Sequence, residues 1–149
     1  MKTQAEIVIY RNRSTVFEHL TDPDKLAKWS QGLITSTPST ELAEHAPYIR
    51  VVRTGRAKKI LHGEVTGFAP GETFEFQLDL RAMLVQVRFE LHSLEGEAAT
   101  RLVATQEIAP RTLLARLRTM ARARSTQIRQ ETDLARLNLY LDRGGDKRA

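Results

Sequence analysis

Hydrophobic and polar residues alternate through most of the middle of the chain, and a period near 3.6 takes over at its end. Residues 6–10, Glu6-Ile7-Val8-Ile9-Tyr10, alternate and predict a strand. Ser14 follows as the predicted N-cap of a short helix whose apolar side is Val16, Phe17 and Leu20. Asp22-Pro23-Asp24 breaks that helix and starts another, with Asp22 as N-cap and Pro23 in the first helical position. Leu26 and Trp29, three residues apart, share one face of the second helix, and Gly32 ends it.

From Leu33 to Pro110 the pattern is that of a sheet. Residues 33–36 form a short candidate strand, and residues 38–47 are polar and turn-rich, either a long hairpin loop or a frayed strand. Residues 48–54, 59–68, 73–80, 84–94 and 100–108 are strand candidates. The turns between them are Gly55-Arg56, Ala69-Pro70-Gly71 and Glu95-Gly96-Glu97. Connections this short favour antiparallel meanders over crossover units. Phe74, Phe76, Leu78 and Leu80 share one face against Thr73, Glu75, Gln77 and Asp79. Val85, Val87, Phe89 and Leu91 oppose Gln86, Arg88, Glu90 and His92 in the same way. One apolar and one wet face per strand marks an antiparallel sheet covered on one side.

The cover is one long amphipathic helix of roughly thirty residues, well beyond the usual ~11–12. Pro110 introduces it, and Arg143-Gly144-Gly145 ends it before a loose tail over 146–149. At about 100° per residue, Leu113, Leu114, Leu117, Met120, Ala121, Ile128, Ala135 and Leu139 cluster on one face, the predicted inward stripe. Arg124 and Glu131 fall on the same stripe. Leu134, Leu137 and Leu141 lie off it and point to a second surface or a partner subunit, which makes a homodimer a candidate assembly.

At 149 residues the chain is read as a single domain, ordered over about 4–142. It has no cysteine, which removes disulfides, thiolate catalysis and Cys-based zinc sites. No signal-like apolar run opens it, and no stretch approaches about 18 consecutive apolar residues. The expectation is a soluble cytoplasmic protein. Lys and Arg number 23 against 18 Asp and Glu, a net charge of +5. The last helix carries Arg111, Arg116, Arg118, Arg122, Arg124, Arg129 and Arg136 against Glu131, Asp133 and Asp142. Two readings stand: a nucleic-acid or membrane-surface patch, or a solvated helix face. Aromatics that would stack on bases are missing until Tyr140, so no specific nucleic-acid partner is expected.

The opening strand followed by Val16-Phe17-Glu18-His19-Leu20-Thr21-Asp22-Pro23-Asp24-Lys25-Leu26-Ala27-Lys28-Trp29 resembles the start of the START/Bet v1-like (SRPBCC, helix-grip) superfamily. It looks most like the bacterial polyketide cyclase/dehydratase and lipid-transport group, and the likeness covers about residues 4–142. The resemblance implies an α+β helix-grip fold. A curved antiparallel sheet of about six to seven strands would wrap a long C-terminal helix, with two short helices after the first strand and a cavity between sheet and helix. Members bind lipids, sterols, polyketides, quinones or plant hormones; others are cyclase-like, chaperone activators or antitoxins. The loop after Trp29, Thr35-Ser36-Thr37-Pro38-Ser39-Thr40, is more polar than the lid such proteins often carry.

Motifs for chemistry are sparse. There is no G-x-S-x-G elbow, P-loop, G-x-G-x-x-G or H-E-x-x-H, so neither a metal nor a cofactor is implied. Of the four histidines, His19 sits in the first short helix in an exposed or capping position, His45 in the polar loop and His92 on a polar strand face. His62 alternates with Ile60 and Phe68, so it either points inward beside Glu64, where the pair could do acid–base work, or points outward while Leu61 and Val65 point in. His62, Glu64 and Glu131 are the catalytic candidates. The ligand-binding candidates are Trp29, Phe74, Phe76, Phe89, Gln106, Leu117, Met120, Arg124 and Ile128, with the Arg124 guanidinium suited to an acidic or carbonyl headgroup. The leading reading is a binder of a small hydrophobic or amphipathic molecule that is lipid-, polyketide- or quinone-like. The alternatives are a polyketide cyclase/dehydratase-type enzyme and a protein-interaction module of the chaperone-activator or antitoxin kind.

Overall fold

The computed structural model describes residues 1–143. The predicted tail over 146–149 and the glycines at 144 and 145 lie outside the described residues. Among the described residues the chain runs β1 (Lys2–Ile9), α1 (Arg13–Thr21), α2 (Pro23–Trp29), β2 (Leu33–Ser36), β3 (Pro47–Thr54), β4 (Ala57–Ala69), β5 (Thr73–Asp79), β6 (Met83–Leu94), β7 (Ala99–Pro110), α3 (Leu113–Ala121) and α4 (Ala123–Asp142). The seven strands form one antiparallel sheet in the order β1-β7-β6-β5-β4-β3-β2. The chain therefore meanders from β2 to β7, and β1 closes the far edge against β7, with Ile7 opposite Leu102. Helices α1 and α2 carry the chain from one edge of the sheet to the other.

Local chemistry sets the element ends. Asp22 caps α2, its carboxylate accepting from the backbone N–H groups of Asp24 (3.0 Å) and Lys25 (3.2 Å). The cap of α1 is Asn12, not Ser14: Asn12 has extended backbone and accepts from the Thr15 N–H at 2.8 Å. Residues 38–46 form a loop with a 3-10 turn at Ser39–Glu41, and Pro47 opens β3. The loop is fastened to β4, because His45 N–H donates to the Val65 carbonyl (2.7 Å) and Val65 N–H donates to that of Ala46 (2.8 Å). Buried Leu42 packs into the core from this loop.

The inner face of β5 and β6 is as alternation predicts, with Phe74, Phe76, Leu78, Phe89 and Leu91 buried. Tyr48 joins Phe74 and Phe76 in an aromatic cluster with ring centroids 4.6–5.7 Å apart. Gly63 lets β4 approach β5: a Cβ there would fall 1.7 Å from the Gln77 carbonyl oxygen. Two residues further on, the register shifts between Val65 and Gly67. That bulge breaks strict alternation. Val65 is buried, Leu61 and Phe68 pack against the core, and His62 is exposed.

The closing helix departs most from expectation. It is two helices, with Arg122 at φ −102°, ψ 6° between them. Its predicted inward stripe faces away from the sheet. The buried residues are Ala115 and Thr119 in α3 and Leu134, Leu137 and Leu141 in α4. Leu113, Leu114, Leu117, Met120, Ile128 and Leu139 are exposed. The sequence holds two opposed apolar rows, and the shorter one reaches the core. Arg11 and Arg136 fix this orientation by donating to the carbonyls of Leu141 (2.6 Å) and Trp29 (2.9 Å).

Candidate functional site

Between the curved sheet and α4 lies a cavity of about 650 Å³. Strands β5, β6 and β7 supply an apolar wall that includes Phe76, Leu78, Val87, Phe89 and Ala104, and α2 adds Leu26 and Trp29. Polar groups gather on α4 and β3. Gln130 and Asp133 come from one row of α4, spaced so that both face the sheet, and Arg50 comes from β3. The volume lies inside the range of small-molecule sites.

Each polar group is held in a defined way. Gln130 donates from Nε2 to the Ala104 carbonyl at 3.0 Å, which leaves its Oε1 buried without a partner. Asp133 Oδ1 is likewise buried and unpartnered. Burial pushes the Asp133 carboxyl pKa above its ordinary value, against the pull of Arg129, Arg136 and Arg50 and a bond from the Gln31 backbone N–H. The Arg50 guanidinium lies over the Phe76 ring, its Cζ 4.5 Å from the ring centroid, and its Nε donates to the Tyr48 hydroxyl at 3.0 Å. Trp29 is anchored by its indole N–H to the His19 carbonyl at 2.8 Å and presents the ring to the cavity.

Of the sequence-predicted binding residues, Trp29, Phe76, Phe89 and Gln106 line this cavity. Phe74 is buried in the aromatic cluster behind the wall. Leu117, Met120 and Ile128 are exposed on the outer row, and Arg124 is exposed beside them. None of these four lines the cavity, because α3 and α4 turn the opposite face inward. The three catalytic candidates are also elsewhere. His62 is exposed, and Glu64 accepts from Gln77 Nε2 at 3.0 Å. Glu131 is exposed and accepts from Gln127 Nε2 at 2.9 Å. His19, read as exposed or capping, is buried, its Nδ1 2.8 Å from the Thr15 carbonyl oxygen. Among the described residues no group of three or more His, Cys, Asp or Glu is placed to hold a metal.

Sequence reasoning missed Arg50, Gln130 and Asp133. A signal for each was present. Tyr48, Arg50 and Val52 alternate on one strand face, and the row 126-130-133-134-137-141 has helical spacing.

The chain belongs to the family described as polyketide cyclase / dehydrase and lipid transport, whose profile matches residues 1–142. A comparison with curated proteins found no match. Among solved structures, MLL2253 from Mesorhizobium loti is similar at 18% identity over 97% of this chain and 98% of that one, with a TM-score of 0.74. NE0264 from Nitrosomonas europaea is 13% identical over 96% of this chain and 95% of that one, with a TM-score of 0.75. DynU16, a protein of the dynemicin biosynthetic locus, is 19% identical with a TM-score of 0.71; the match covers 96% of this chain and 48% of that one. At these identities the likeness is one of fold: α+β, with a curved antiparallel sheet and a long C-terminal helical segment.

Proposed function

We propose that the protein binds a small amphipathic molecule, polyketide-, quinone- or lipid-like, in the cavity between sheet and α4. The observation that carries this reading is the cavity itself, an apolar wall of Phe76, Leu78, Val87 and Phe89 whose lining also holds Arg50, Gln130 and Asp133. A ligand's apolar body would lie on that wall, and its hydroxyl or carbonyl groups would face the polar side chains of the lining. Arg50 would receive a carbonyl or acidic oxygen, the role sequence reasoning gave to Arg124. Family membership and the biosynthetic setting of DynU16 support the same ligand classes.

Trp29 is the only tryptophan and stands in the cavity wall, so it reports occupancy directly. Titration with emodin, a tricyclic hydroxyquinone, and with oleate is expected to change Trp29 emission saturably for at least one of them. Val87→Phe, which narrows the cavity at its apolar wall, should weaken that change. Absence of a saturable change with either probe, together with a native mass equal to the chain mass, would overturn the reading.

The raised pKa of Asp133 favours a second reading, a cyclase or dehydratase in which this carboxyl moves a proton. Asp133→Asn would then keep probe binding and lose turnover of a polyketide substrate; undiminished turnover would rule that role out.

A further inference from the structure

The outer row of the closing helices is the largest unexplained feature of the surface. Leu113, Leu114, Leu117 and Met120 are 73%, 58%, 57% and 67% exposed, in a helix of only 9 residues. Buried Ala115 and Thr119 fix the inward face of α3, and at about 100° per residue the four exposed side chains centre about 180° away from it. Arg116 and Arg118 flank that apolar row on either side. Exposed Ile128 extends the row into α4 until Glu131 interrupts it.

Charge singles out the same segment. Residues 111–130 hold six arginines and no carboxylate, whereas the whole chain carries +5, so the remainder sums to −1. Among the described residues Arg116, Arg118, Arg122 and Arg124 make no side-chain ion pair or hydrogen bond. Arg111 instead ties the start of α3 to the β5–β6 turn, through the Asp79 carboxylate at 2.6 Å and the Arg81 carbonyl at 3.2 Å.

We infer that α3, with the first turns of α4, is an interfacial helix that docks the protein on an anionic lipid surface. The four large apolar side chains enter the acyl boundary. The flanking arginines stay level with the phosphates, their stems along the apolar row. No described helix is long and apolar enough to cross a membrane, so the helix lies on the surface. A second copy of this chain is a poor occupant, because it would press one carboxylate-free arginine cluster against another. A nucleic-acid backbone would leave the leucines and Met120 in water. The docked face adjoins the end of the cavity where Leu80, Met83 and Ile108 sit, since the Arg111 N–H donates to the Ala82 carbonyl at 2.7 Å.

Flotation of the full chain with phosphatidylcholine vesicles, and with vesicles that also contain phosphatidylglycerol, tests this without any cavity ligand. Its result is therefore independent of the binding reading above. The protein is expected to float with the anionic vesicles only and to be released by high salt. Leu114→Glu/Leu117→Glu should lower anionic-vesicle binding by about tenfold or more, and Arg116→Gln/Arg118→Gln should lower it as well. Both pairs are exposed, so unchanged circular dichroism and melting confirm that the variants fold. Equal binding by the leucine variant overturns the inference, as does failure of the native chain to bind either vesicle. A native dimer that Leu114→Glu/Leu117→Glu dissociates, with no vesicle binding, would assign the face to a second copy and also overturn it.

Discussion

The Asp133 carboxyl loses hydration on the inner face of α4, and burial raises its pKa more than the three nearby arginines and the Gln31 backbone lower it. With a folded-state pKa above the unfolded value of 3.8, the ionised group opposes folding once the pH exceeds the folded-state pKa. Protonation relieves that penalty as the pH falls toward the unfolded value. Asp133→Asn, nearly the same shape without the charge, is therefore expected to melt above the native protein near neutral pH. The gap should close as the pH approaches about 4. Thermal melts across that range check it, and a lower melting temperature for the variant at neutral pH would mean that the arginines outweigh burial. Residues of this kind were hard to read in advance. A charge on a strand or helix ordinarily marks the solvent face, so Arg50 and Asp133 looked like surface positions. Only their alternation with Tyr48 and Val52, or with Leu134 and Leu137, placed them inside.

The strands were legible because sheet alternation and turn residues agree. Phe74, Phe76, Val85 and Phe89 fell on the face where they are found, and predicted bounds shift by at most a few residues. The bulge after Val65 was not legible: it brings Phe68 onto the core face of Leu61 and Val65, so of the two readings of His62 the outward one matches its exposure. The closing helices failed differently. Two apolar rows lie on opposite faces, and the longer one is not the one that meets the sheet. Packing decides, and mutation can confirm the decision. Leu137 is fully buried, so Leu137→Ala is expected to cost about 2–5 kcal/mol. Exposed Leu117→Ala should stay within about 0.5 kcal/mol. Urea unfolding of both variants measures the difference. A reversed order would restore the predicted stripe as the inward face.

At the scale of the whole molecule, short connections foretold the meander, and the resemblance of residues 16–29 foretold the helix grip. The cavity depends on curvature and on how far α4 stands from the sheet, and neither is written in a local pattern. Its walls belong to elements distant in sequence: α2, β2, β3, β4, β5, β6, β7 and α4. A ligand seated there would bridge all of them, and unfolding any one would release it. Binding should therefore stabilise the entire domain and not a single loop. At a free ligand concentration about 100 times Kd the gain is about 2.7 kcal/mol. For a chain of 149 residues that corresponds to a rise in Tm of about 5–10 °C. Differential scanning fluorimetry with the probe that changes Trp29 emission should show one cooperative transition moving upward as probe is added. Val87→Phe should show a smaller rise at the same probe concentration. An unmoved transition in the native protein, at concentrations that saturate the emission change, would mean that the probe binds the unfolded chain as well as the folded one, which a site between sheet and helix does not allow.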